Sequence, residues 1–164
     1  MTARRLGAAV ALATLAADQA NKLWLIFVYG IEARQPVRLT PFLDVIYAKN
    51  TGISYSLLQA SSMTGRYILL AFALAATLVL SAWLWRARSN TVALALGLII
   101  GGALGNAYDR FAYGFVADFY HFHAGTFSWY VFNFADVAIV FGVGILLYDS
   151  LFTSSRGPEG AAGQ

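Results

Sequence analysis

Twelve uncharged residues, 137–148, follow the segment Phe132-Asn133-Phe134-Ala135-Asp136. Twelve are too few to cross a bilayer core as a helix, which takes about 20. A span here must begin near Val131 and carry Asp136 with it. A lone acid at membrane depth costs about 2.5–3.5 kcal/mol on insertion scales, so such an acid faces protein or water and does a job. Asn133 lies three residues earlier, on the same face of the expected helix. What Asp136 meets is the question the rest of the chain must answer.

The whole chain reads as a membrane protein. Of its 164 residues, 59% are hydrophobic and 12% charged, where a soluble domain carries about 25% charged. There is no cysteine, which excludes disulfides, thiol catalysis and thiolate metal sites. The net charge of +3 is small, and no basic stripe with interleaved aromatics is present, so no nucleic-acid partner is expected.

The first span is expected over about 6–28. Arg4 and Arg5 precede an apolar run, and Leu15-Ala16-Ala17 gives it the look of a cleavable signal peptide. The apolar tail Trp24-Leu25-Ile26-Phe27-Val28 favours a retained helix that continues through Asp18, Gln19, Asn21 and Lys22. Asp18 and Lys22 are four apart and pair on one face. Residues 30–65 read as a small extracytoplasmic subdomain, with short strands across 37–48, a turn at Asn50-Thr51-Gly52 and a membrane-surface stretch at 53–59.

A second span covers 67–85, with Trp83 and Trp85 at its far end and Arg86 and Arg88 just beyond it. The third covers about 92–111, where Gly97, Gly101 and Gly105 form a stripe for close helix contact. Asn106, Asp109 and Arg110 sit at its end. Residues 112–130 read as an interfacial loop or helix, the fourth span covers 131–148, and 154–164 form a polar tail expected to be disordered. The fold class is thus a membrane all-α fold: one integral domain, 1–164, of four transmembrane helices with a β-containing subdomain. Both termini fall on one side with Arg4, Arg5, Arg86, Arg88 and Arg156, which makes that side the cytoplasm. Asp18, Lys22, Asn106, Asp109, Arg110, Asp118, Asn133 and Asp136 then collect in one layer toward the other side.

Two carboxylates in a poorly hydrated site do not both ionise easily, so one activates water while the other holds a proton, as aspartic proteolysis requires. Asp118 and Asp136 have no cation within four residues, whereas Asp109 adjoins Arg110 and Asp18 has Lys22. Spacing favours Asp118 with Asp136 as the dyad; the alternative is a purely structural polar cluster. His121 and His123 lack a third ligand at a matching spacing, so no metal site is expected. Two rival functions stay open on the residues alone. One is a proton- or ion-coupled transporter, against which the apolar cytoplasmic halves of the spans speak. The other is an assembly subunit docking through its glycine stripe.

Five blocks, in order, resemble the lipoprotein signal peptidases (signal peptidase II), bacterial aspartic proteases of four transmembrane helices. They are Asp18-Gln19-Ala20-Asn21-Lys22, Asn50-Thr51-Gly52-Ile53-Ser54-Tyr55-Ser56, Gly101-Gly102-Ala103-Leu104-Gly105-Asn106-Ala107-Tyr108-Asp109-Arg110, Val116-Ala117-Asp118-Phe119 and Phe132-Asn133-Phe134-Ala135-Asp136. The resemblance implies a catalytic dyad of Asp118 and Asp136. It implies that Asn50, Gly52, Asn106, Arg110 and Asn133 line the substrate site or hold the dyad, supported by Asp18, Lys22 and Asp109. It further implies a prolipoprotein substrate with a diacylglyceryl-modified cysteine, cut just before that cysteine, at the outer face of the bacterial inner membrane. No metal or cofactor is implied, the implied inhibitors are globomycin and myxovirescin, and nothing requires more than a monomer among membrane lipids. Two departures stand out: Asn21 where the family often has Thr, and Trp129-Tyr130-Val131 in place of a common Pro, which bears on the backbone path of the segment covering the substrate.

Overall fold

The computed structural model describes residues 1–52 and 63–152. The expectations for 53–59, for Arg156 and for the tail 154–164 lie outside the described residues. Helix α1 (Ala3–Leu23) runs into a π-helical segment (Trp24–Tyr29) and a single turn, α2 (Ile31–Arg34). Strands β1 (Val37–Thr40) and β2 (Leu43–Asn50) follow, then the long helices α3 (Met63–Arg86) and α4 (Asn90–Ala112). Strands β3 (Val116–Ala124) and β4 (Phe127–Phe132) lead into α5 (Phe134–Phe152).

Among the described residues, α3, α4 and α5 are long and apolar enough to cross a membrane. The 21 residues of α1 rise about 32 Å, enough for a bilayer core, but Asp18, Gln19, Asn21 and Lys22 interrupt its apolar run. Phe72, Leu78 and Val79 on α3 and Val140 and Phe141 on α5 are largely exposed. Such outward apolar faces suit lipid and would be a liability in water.

Helix α4 is central, packed against α1, α3 and α5. Its glycines set the spacing. A Cβ on Gly97 or Gly101 would come within 2.5 Å of the carbonyl oxygens of Gly7 or Ala11 on α1, and one on Gly105 within 2.5 Å of Asp18 Oδ2. On the neighbouring face a Cβ on Gly102 would lie 2.6 Å from the Ala135 carbonyl of α5. The stripe read from the sequence is therefore a seam of near-contact between backbones. It draws the polar side chains of α1, α4 and α5 within hydrogen-bonding range of one another.

The strands form one antiparallel sheet in the order β1-β2-β3-β4. The strands expected across 37–48 are present, and β2 runs on to Asn50. The expectation of an interfacial loop or helix over 112–130 is corrected: most of that segment is the β3–β4 hairpin. Aromatic and β-branched residues flank a Gly125-Thr126 turn there, a strand signal that the polar interruptions masked. Helix α5 starts at Phe134, not near Val131, because 131 and 132 complete β4.

Two registers matter for the site. Ala48 pairs with Asp118 and Asn50 with Val116 across β2 and β3, while Tyr120 pairs with Phe132 across β3 and β4. The hairpin thus folds Asp118 back onto the start of α5. Leu25, Ile31, Val45, Ala117 and Phe119 form a buried cluster that fixes the sheet onto the end of the first helix. Ile31 and Phe119 are wholly buried, each such side chain contributing about 1.5–3 kcal/mol.

Candidate active site

Three of the polar side chains form a closed ionic network. Lys22 Nζ lies 2.8 Å from Asp18 Oδ2 and 2.8 Å from Asp109 Oδ2, and all three groups are excluded from solvent. Gln19 Nε2 donates to Asp109 Oδ1 (2.9 Å) and Asp18 Oδ2 (3.2 Å). The backbone N–H groups of Ala135 and Ala117 donate to Asp18 Oδ1 (3.0 Å) and Asp109 Oδ2 (3.2 Å). Every oxygen of both carboxylates has a donor, as buried charge demands. The network ties α1, α4, β3 and α5 together. The expected Asp18–Lys22 pair is present. Asp109 is tied up as anticipated, but by Lys22 and not by its neighbour Arg110.

The other two acids are held by amides. Asn133 stands between β4 and α5 as the cap of that helix. Its Oδ1 accepts from the Asp136 N–H (3.0 Å), and Asp136 Oδ2 accepts from the Asn133 N–H (3.1 Å). This is a reciprocal capping box, with Asp in the place usually taken by Glu or Gln. The Asn133–Asp136 spacing read from the sequence as a shared helical face is this cap. Asn133 Nδ2 also donates to Asp118 Oδ1 (2.7 Å) and to Asn106 Oδ1 (3.1 Å). Asn106 Nδ2 donates to Asp136 Oδ1 (2.9 Å). Asn50 Nδ2 donates to Asp118 Oδ2 (3.0 Å) while its Oδ1 accepts from the Gly52 N–H (3.2 Å), which fixes the orientation of the Asn50 amide.

Asn133 therefore joins Asp118 to Asp136. Asp118 is 2% exposed, whereas Asp136 is half-buried. Among the described residues neither acid is in an ion pair. Burial pushes the Asp118 carboxyl up to about 6, and the nearby charge of Asp136 adds to the rise; the Asn50 and Asn133 donors act against it. An acid so placed keeps its proton to a higher pH than an ordinary aspartate, up to about 6, beside a second acid that a reactant can reach.

Two cations border the pair. Lys22 Nζ donates to Asn106 Oδ1 (3.3 Å), so Asn106 links the ionic network to Asp136. Arg110 donates to the Asn106 carbonyl (3.3 Å) and lies within electrostatic reach of Asp136, Asp118 and Asp109. Its helix end is secured by Arg66 of α3, whose Nε and Nη2 donate to the carbonyls of Arg110 (2.6 Å) and Phe111 (2.5 Å). Gly114, at φ +84°, turns the chain from this helix end toward β3.

Sequence reasoning named neither Arg66 nor Gln19 as a site residue. A cation opening an apolar span and a glutamine inside one were the available signals. It also missed the Asn21–Tyr120 hydrogen bond (2.9 Å), which ties α1 to β3. His121 bonds Ser128 (2.8 Å) and His123 bonds Asp44 (3.0 Å), both on the sheet.

A helical membrane protein with an amide-held acid pair beside a buried ionic network is equipped for acid–base hydrolysis in lipid. The sequence model described as signal peptidase (SPase) II matches residues 10–152. The chain belongs to the signal peptidase II family, and it is a peptidase. It is 73% identical over 157 residues to a lipoprotein signal peptidase of Methylocella silvestris, covering 96% of this chain and 91% of that one. It is 64% identical to the lipoprotein signal peptidase of Beijerinckia indica subsp. indica, covering 95% and 93%. Two solved structures, both described as bacterial membrane enzymes, share the fold. One has a TM-score of 0.80 at 21% identity, covering 96% of this chain and 94% of that one; the other has 0.75 at 22% identity, covering 89% and 92%.

Proposed function

We propose that this chain removes signal peptides from diacylglyceryl-modified prolipoproteins, cutting before the lipidated cysteine, with Asp118 and Asp136 as its catalytic dyad. The carrying observation is the pair itself, bridged by Asn133 and in no ion pair among the described residues, in a chain of this family.

In the reactive form the pair holds one proton, on Asp118, and Asp136 acts as the base. Asp136, the more exposed of the two, takes a proton from water as the water oxygen attacks the scissile carbonyl carbon. Asp118 gives its proton to the carbonyl oxygen, forming a neutral gem-diol. On collapse Asp136 passes its proton to the leaving amine, a gem-diol hydroxyl returns one to Asp118, and the C–N bond breaks. Asn133 and Asn106 hold the dyad, Asn50 orients Asp118, and Arg110 stabilises the negative charge of the pair. Gly52, bonded to Asn50, lines the approach.

The proposed setting is the inner membrane, with α1 as a fourth span. Its polar face is spent on Asp109, Ala135 and Tyr120, so lipid meets only its apolar side. Both termini lie in the cytoplasm with Arg4, Arg5, Arg86 and Arg88, and the dyad and sheet lie at the outer surface. There the acyl chains of a substrate remain in lipid while its scissile bond reaches Asp136. The whole chain, 1–164, acts as one domain and as a monomer, without metal or cofactor, and is blocked by globomycin and myxovirescin.

Cleavage of a diacylglyceryl-modified prolipoprotein in detergent tests this. The parent should cut before the modified cysteine, and folded Asp118→Asn and Asp136→Asn should each lose about 10²–10⁴-fold in rate. Retained cleavage in either variant removes that residue from the dyad.

A further inference from the structure

The end of the bundle remote from the acids carries a second built feature. A cavity of about 510 Å³ opens between α1, α3 and α4, its walls including Ala8, Leu12, Leu84 and Ile100, with Arg4 and Arg5 also lining it. The volume is in the range of ligand pockets, about 300–1,000 Å³. Arg4 is held against the wall, its guanidinium carbon 4.9 Å from the centre of the Trp85 ring. From Arg5 to Asp18 is 13 residues of helix, about 20 Å, so this cavity is separate from the candidate active site.

The placement of the two arginines is not explained by helix stability. The first turn of α1 contains no acid, and the positive end of a helix dipole disfavours cations there. Among the described residues Arg4, Arg5, Arg86 and Arg88 form no ion pair. Orientation in the membrane accounts for having four arginines at this end. It does not account for setting two of them on the wall of an apolar cleft, one fixed by a tryptophan. Basic pockets between spans on the cytoplasmic side suit acidic lipid headgroups.

We infer that this cleft binds one anionic phospholipid of the leaflet at the α1 N-terminus, its phosphate between Arg4 and Arg5 and an acyl chain along Ala8, Leu12 and Ile100. The cations match the phosphate and the walls match the chain. The occupant is a membrane lipid, since free phosphate leaves the apolar walls uncovered.

Native mass spectrometry of the full chain in detergent tests the inference, with phosphatidylglycerol and phosphatidylcholine of identical acyl chains as probes. The parent should retain phosphatidylglycerol about ten-fold better than phosphatidylcholine. Arg4→Gln/Arg5→Gln should abolish that preference. Arg86→Gln/Arg88→Gln, which removes equal charge at the same end but off the cavity wall, should keep it within about two-fold. Ala8→Phe, which fills the cleft, should lower retention of both lipids. Equal retention of both lipids by the parent overturns the inference, as does an equal loss from the two arginine pairs or unchanged binding in Ala8→Phe. Displacement by millimolar inorganic phosphate would mark a simple anion site and overturn it too. The readout is independent of peptide cleavage, so it stands or falls apart from the catalytic proposal.

Discussion

Asp18 and Asp109 share a lysine, whereas Asp118 and Asp136 share an asparagine. Both pairs sit at the same end of the bundle and are joined through Asn106. Around Lys22 every carboxylate oxygen meets a donor, one cation is shared by both acids, and four elements of the fold converge. Around Asn133 the acids receive neutral donors only among the described residues, and one of them is half-buried. An acid locked in a salt bridge with all its oxygens paired serves as a tie. An acid held by amides is fixed in place yet free to exchange a proton. On the proposed function, the two arrangements divide structure from chemistry within one polar layer.

The comparison breaks most visibly at Lys22. Lys22→Met leaves two buried carboxylates without their cation, a change that typically costs about 3–5 kcal/mol. The variant should show the largest loss in thermal melting temperature in detergent, with cleavage lost alongside. A variant that melts with the parent would mean the ionic network is no tie. Gly101→Leu, next in size, forces a side chain into the carbonyl of Ala11 and should cost about 1–3 kcal/mol. Its melt should fall while the pH profile of any remaining activity keeps its shape.

Smaller effects sharpen the other side. If Asp118 is the proton donor proposed above, its carboxyl being raised to about 6, kcat/KM should decline as pH climbs through about 6. The apparent value read from that limb belongs to the pair of acids. Asn50 donates to Asp118 and favours its charged form, so Asn50→Ala should move the limb upward by about one unit. A limb that stays put would mean Asn50 does not act on Asp118. Asp118 also links stability to pH. Its folded value lies above the unfolded one, so the folded chain holds more protons and this contribution weakens as pH rises from about 4 to about 6.5. The melting temperature of the parent should carry that decline, and Asp118→Asn should lack it.

Much of this was legible in the sequence, for physical reasons. Charged and amide residues inside apolar runs are costly, so Asp18, Lys22, Asn106, Asp109 and Asp136 announced themselves. The four-residue glycine period marked a face of α4 for close helix contact, without naming α1 as the helix it meets. The hairpin over 116–132 was hidden because its strands carry aromatic residues on both faces and two histidines, which blur a period-two pattern. The partner of Asp109 was hidden because Lys22 is 87 residues away in the chain, while Arg110 is adjacent. Local sequence favours the neighbour, but the glycine seam brings the distant cation closer. Arg66 bonds backbone carbonyls, a role that leaves no trace in spacing.

The most direct test sets Asp118→Asn beside Asp109→Asn, with each variant melted at pH 7 and assayed for cleavage. Holding Asp118 charged at that pH opposes folding, so its neutral isostere should melt within a few degrees of the parent, or above it, and be inactive. Asp109→Asn should melt clearly lower, since it strips a partner from the buried lysine. Two results would contradict the division: an Asp118→Asn chain that still cuts, or one that loses as much stability as Asp109→Asn.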